Sequence, residues 1–131
     1  MRGTIIEDMH KGALISVVDD DVSSRESLPD LVQMLGFAVM PFASAEDFLA
    51  SEVIADTECL ILDVSMPGMS GPELQREMSR RDLKIPIIFI TADCDRDLRA
   101  DLLARGAVEC LFKPFSERDL RAALDRVDRA T

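Results

Sequence analysis

Apolar positions along the chain follow two different periods. Short apolar runs, "LISVV" (14–18), "FAVMP" (37–41), "CLILD" (59–63), "PIIFI" (86–90) and "VECLF" (108–112), read as strands. Between them apolar residues recur at spacings of three and four. Leu28, Leu31, Val32 and Leu35 form one stripe and Leu74 and Met78 a second; Leu98 and Leu102 form a third, and Leu120, Leu124 and Val127 a fourth. Each stripe predicts a helix with one buried face. Cap signals agree: Ser44 precedes "AEDFLA", Ser70 has Glu73 three residues on, and Ser116 has Asp119 at the same offset. Gly36 and Gly106 stand where helices should stop. The unbroken apolar run before Asp63 predicts a strand buried on both faces, the habit of a parallel sheet covered by helices. Five strands alternating with five helices predict a doubly wound α/β fold, one parallel sheet between two helical layers.

One local conflict stands out. Pro29 falls inside the first helical stripe, where a missing backbone N–H costs about 3 kcal/mol in a helix interior. Ser27-x-x-Asp30 offers a fresh cap that would place Pro29 in a first turn. The expectation is a bend near Arg25 or a helix that starts late.

Composition narrows the function. The 131 residues suffice for one core, with residues 1–12 read as an N-terminal extension and 13–129 as the domain. Hydrophobic residues make up 47% and charged residues 31%, a globular balance. The net charge of −10 repels phosphate backbones and anionic lipids, so neither direct nucleic-acid binding nor membrane binding is expected of this domain. No apolar run is long enough to span a bilayer or form a signal peptide. Cys59, Cys94 and Cys110 form no CxxC and cannot all pair, which fits reduced thiols and a cytoplasmic setting. With His10 the only histidine, a multi-histidine metal site is excluded.

The polar residues that end the strands carry the chemistry. The first strand runs into Asp19-Asp20-Asp21, the third into Asp63, the fourth into Thr91 and the fifth into Lys113. In open parallel sheets, sites form outside the carboxyl ends of the strands. Carboxylates gathered there repel one another; a pair about 4 Å apart costs roughly 4 kcal/mol at an effective dielectric of 20. A hard cation relieves that repulsion, and few protein oxygens with open positions suit Mg²⁺. "DDDVSSRES" is not an EF-hand loop, since it lacks the central glycine and the terminal glutamate. A carboxylate beside a divalent ion can attack a phosphoryl group, while an ammonium and a hydroxyl bind the transferred oxygens.

These motifs together resemble the receiver domain of two-component response regulators, over about residues 13–129. "VVDDD" resembles the family's acidic start, "LILDVSMPGMSG" its phosphoacceptor loop, "FITA" its Thr-Ala strand end and "FKPF" its Lys-Pro motif. Around Arg25-Glu-Ser-Leu and "GFAVMPFASAEDFL" the chain is similar to receivers of the nitrogen-fixation regulator subfamily. The resemblance implies a flavodoxin-like (βα)5 sandwich with strand order 2-1-3-4-5. It implies that Asp63 accepts the phosphoryl group, and that Asp20, Asp63 and the Ser65 backbone carbonyl ligate Mg²⁺, with Asp19 acting through water. Thr91 and Lys113 would read the phosphate, and Lys113–Pro114 would be a cis peptide. The implied partners are a sensor histidine kinase or histidine phosphotransfer protein and, after phosphorylation, a homodimer or protein partner. For such pairing the mixed charges Arg96, Asp97, Arg99, Asp101, Arg118 and Asp119 are candidates. One departure is visible: the aromatic residue usual three positions before the lysine is here Cys110, and the nearest ring is Phe112.

Two rival classes share parts of this pattern. A haloacid-dehalogenase phosphatase needs a second aspartate two residues after its nucleophile, where this chain has Ser65, and its nucleophile follows the first strand. A degenerate receiver that only mediates contacts would have lost site residues, and none is missing. Because "RAALDRVDRAT" contains no linker-like tract, a stand-alone domain is expected over a fragment of a longer regulator. Cys94, just past Thr91, is read as an incidental thiol.

Overall fold

A computed structural model of the chain describes residues 12–93 and 95–130, with the backbone alone at 128–130. The segment 1–11, most of the expected N-terminal extension, and Cys94 lie outside the described residues. Five strands alternate with five helices. β1 (Leu14–Val18) leads to α1 (Val22–Met34), β2 (Ala38–Phe42) to α2 (Ala45–Leu49), and β3 (Thr57–Asp63) to α3 (Gly71–Arg80). β4 (Ile87–Thr91) leads to α4 (Arg96–Ala104), and β5 (Glu109–Phe112) to α5 (Glu117–Ala130). A 3₁₀ turn over Glu52–Asp56 brings the chain from α2 into β3.

All pairings are parallel and the strand order is 2-1-3-4-5. Alternation along the strands feeds two cores. Ile15, Val17, Cys59, Ile61, Ile88 and Ile90 face α1 and α5, meeting Leu28, Val32, Leu120 and Leu124. Val18, Leu60, Leu62 and Phe89 face the other layer, meeting Phe48, Leu74, Met78 and Leu102. β3 is central, so both of its faces are covered and its unbroken apolar run is explained. β2 is an edge strand, which is why it tolerates Pro41 and exposes Met40.

The expected caps form. The Ser44 and Ser70 side chains accept from Asp47 N and Glu73 N, and Glu73 closes a capping box on Ser70 N. Ser116 and Asp119 bond reciprocally at the start of α5. Gly36 and Gly106 end α1 and α4 with φ of 102° and 106°.

The late-start reading of the first helix is corrected. α1 begins at Val22, capped by Asp21, and runs to Met34 with Pro29 inside it. Ser27 does not cap; its hydroxyl donates to Ser23 O at 2.9 Å. Pro29 is buried, as are Leu28 and Val32, and this tertiary packing offsets the hydrogen bond that the ring removes.

Candidate functional site

Three strands deliver the acidic cluster and its cation. β1 ends directly before Asp19, β3 ends in Asp63, and the chain leaving β5 supplies Lys113. Asp19, Asp20 and Asp63 each offer a carboxylate oxygen, and these oxygens lie within 4.8 Å of one another. Asp19 is fully buried and Asp63 nearly so, whereas Asp20 is open to solvent. Lys113 Nζ sits 3.0 Å from Asp19 Oδ2 and 4.0 Å from Asp63 Oδ1, so its closer partner is Asp19. The Lys113–Pro114 peptide is cis.

One ammonium for three carboxylates leaves the cluster under-neutralised. Burial above all, then repulsion by Asp19, pushes the Asp63 carboxyl from 3.8 up to about 7, while Lys113 pulls the other way. A divalent ion would restore the balance, and three hard oxygens with open positions are a donor set that suits one.

Thr91 ends β4 opposite Phe112 and is 2% exposed. Its Oγ1 accepts the Asp93 N–H at 3.0 Å, which leaves its own O–H to donate. The Lys113 N–H donates to Thr91 O at 2.7 Å, tying these two site residues through the backbone. Ser65 lies exposed two residues past Asp63. Cys110 pairs with Phe89 and is buried in the core with Leu102, its thiol pushed up to about 11 by that burial. Phe112 is half-buried one strand pair nearer the site.

Several residues shape the site without having been singled out for it in the sequence. Arg25 donates from one guanidinium nitrogen to the backbone oxygens of Asp19 (3.1 Å) and Asp20 (2.9 Å). It thereby brings a positive charge to the acidic turn from the first helical turns of α1. Ser24 Oγ lies 3.4 Å from Lys113 Nζ. Gly71 opens α3 so close to Asp63 that an added Cβ would stand 2.4 Å from Asp63 O and 3.1 Å from the Phe89 ring. Only the last had a local signal, a glycine directly after a cap serine. Among the charges expected to pair between copies, Arg99 is engaged within the fold: its guanidinium bonds Glu109 Oε1 and Cys110 O. Arg126 reaches Glu109 Oε2 from α5 at 2.6 Å, so one carboxylate on β5 clamps α4 and α5.

Residues 15–125 match the family model "Response regulator receiver domain". The chain therefore belongs to the receiver domain family of response regulators, the signalling domains of two-component systems. Nodulation protein W of Bradyrhizobium diazoefficiens is 43% identical over 119 residues, covering 91% of this chain and 51% of that protein. The transcriptional regulatory protein FixJ of Azorhizobium caulinodans is 38% identical over 110 residues, covering 84% and 52%. The chain spans about half the length of the curated relatives it matches. Among solved structures, FixJ-N superposes with a TM-score of 0.80 at 35% identity, covering 92% of this chain and 96% of its own. The response regulator StyR gives 0.81 at 41%, covering 92% and 60%. Among the described residues no helix is long and apolar enough to cross a membrane.

Proposed function

We propose that this domain, spanning residues 13–129, is the phosphoacceptor of a two-component relay in the cytoplasm. Asp63 takes a phosphoryl group from a phosphohistidine on a sensor histidine kinase or a histidine phosphotransfer protein. The observation that carries the proposal is the convergence of Asp19, Asp20 and Asp63 with Lys113 at the carboxyl end of the sheet. A carboxylate oxygen of Asp63 forms the new P–O bond as the P–N bond breaks, and the leaving imidazole keeps the electron pair. Asp20, Asp63 and the Ser65 carbonyl would hold Mg²⁺, with Asp19 contributing through water. When bound, the ion neutralises charge on the transferring phosphoryl oxygens.

The chain's own residues do the remaining work. The rigid end of β3 aims the nucleophile, and Gly71 lets α3 close behind it without a clash. Lys113 is positioned to leave Asp19 for a phosphoryl oxygen on Asp63, and the Thr91 hydroxyl to donate to another. The added charge, roughly −1.5 to −2, draws both residues inward and shifts the loop after β4. Because Thr91 and Lys113 are joined by a backbone bond, their movement reaches α4 and β5 together. That face would carry the output, through a partner or a second copy. With Cys110 at the position of the usual ring, the aromatic part of the switch is absent or falls to Phe112.

Incubation with Mg²⁺ and acetyl phosphate followed by intact mass measurement tests the reading. A phosphate adduct on the wild type that is lost in Asp63→Asn supports it. An adduct that persists in Asp63→Asn, or none on the wild type, sinks it. Sedimentation with and without beryllofluoride tests self-association, and identical profiles remove the homodimer.

A further inference from the structure

We propose that Glu46 is a positioning residue for the loop that carries Ser65, an inference that rests on the phosphoacceptor reading above. Glu46 stands on α2, 23 residues upstream of the amide it binds. Its Oε2 accepts the Met69 N–H at 3.1 Å. A Cβ built on Gly68, whose φ is +75°, would lie 2.8 Å from the same oxygen. The carboxylate therefore meets the loop backbone over two successive residues, and position 68 favours glycine for its positive φ.

The helix that carries Glu46 is held by its own cap and by core packing. Ser44 caps it, and Ala45 and Phe48 are fully buried. The Phe48 ring meets Phe42 edge-on, with centroids 5.5 Å apart and planes at 72°. The loop's ends are also fixed. The Val64 N–H donates to Ile90 O at 3.0 Å, and the Gly71 N–H returns to Val64 O at 2.9 Å. Met66 reaches into the core from between them. Between these anchors Pro67 and Gly68 are exposed, Met69 packs partly buried against the core, and Glu46 adds a tie to the Met69 backbone. A loop held at both ends and at Met69 has fewer shapes to lose when Ser65 turns its carbonyl to a ligand. Glu46 thus acts through backbone, from an element with no other part in the chemistry.

The test uses the full chain with Glu46→Ala and Glu46→Gln, Mn²⁺ as the metal probe followed by electron paramagnetic resonance, and amide exchange of Met69 without metal. Salt at 0.15 M screens the distant charge effect of either change. The expected result for Glu46→Ala is Met69 exchange faster by about tenfold and Mn²⁺ binding weaker by about tenfold. Glu46→Gln keeps an oxygen for the Met69 N–H and should restore most of both. Faster Met69 exchange with unchanged Mn²⁺ affinity would reduce the bond to a surface contact and overturn the inference. Equal damage by Gln and Ala would overturn it too, since charge and not the hydrogen bond would then be acting. Failure of the wild type to bind Mn²⁺ at all would overturn the metal-site reading and the role of Glu46 with it, a result distinct from the first two.

Discussion

Replacing Asp63 by Asn removes the charge that this fold tolerates least, and should make the metal-free protein more stable. Asp63 is 7% exposed, and its carboxyl rises from 3.8 to about 7 on burial beside Asp19. A carboxyl raised in the folded state binds more protons folded than unfolded. Between pH 4 and 7 folding therefore takes up a proton, and stability falls as pH rises through that window. At 1.36 kcal/mol per pH unit, a rise of this size corresponds to about 4 kcal/mol of destabilisation above pH 7. That rise is already net of the attraction to Lys113 Nζ, 4.0 Å away, and burying an amide in place of the carboxyl offsets part of the gain. A net gain of about 2 kcal/mol remains, enough to raise the melting temperature by roughly 5–10 °C in a domain of this size. The chain has no Trp or Tyr, so melts should be followed by far-UV circular dichroism, in EDTA, at pH 5 and pH 8. The gain should be large at pH 8 and small at pH 5, where wild-type Asp63 is already mostly protonated. A variant no more stable than wild type at pH 8, or a gain equal at both pH values, would refute the electrostatic account of the cluster.

Other expectations follow from single contacts. Millimolar Mg²⁺ should raise the wild-type melting temperature, with a gain of about 1.4 kcal/mol at ten times the dissociation constant, and Asp20→Asn should abolish most of that rise. Gly71→Ala forces a methyl group into Asp63 O and should cost about 1–3 kcal/mol in urea melts, slowing any acetyl phosphate reaction beyond what the lost stability explains. The Cys110 thiol, buried and pushed up to about 11, should label at pH 8 at least a hundredfold more slowly than a free cysteine, roughly in the ratio of their thiolate fractions; peptide mapping by mass spectrometry reads this directly. Glu109→Ala leaves the solvent-open Arg99 and Arg126 without their shared carboxylate and should cost about 1 kcal/mol, most of which vanishes when both arginines are replaced as well; a full cost in that background would show that the clamp is not the cause.

What could be read from the sequence was local. Strand and helix positions follow from period-two and period-3.6 patterns, and the Ser44, Ser70 and Ser116 caps act within three residues of themselves, so each is legible in a short window. The order of the acidic turn, Asp63, Thr91 and Lys113 along the chain was likewise sufficient to indicate the family to which it belongs. The tertiary structure decided what depends on distance across the fold. The late start expected from Pro29 does not occur, because the cost of its ring is local while its burial depends on the rest of the fold. Lys113 prefers Asp19 to Asp63 across 94 residues of chain, and Glu46 finds the Met69 amide from another helix. The raised Asp63 carboxyl belongs to this second group as well. Its residue type was plain in the sequence, but desolvation and repulsion depend on which atoms surround it, and only the folded chain brings Asp19 and Lys113 to its side.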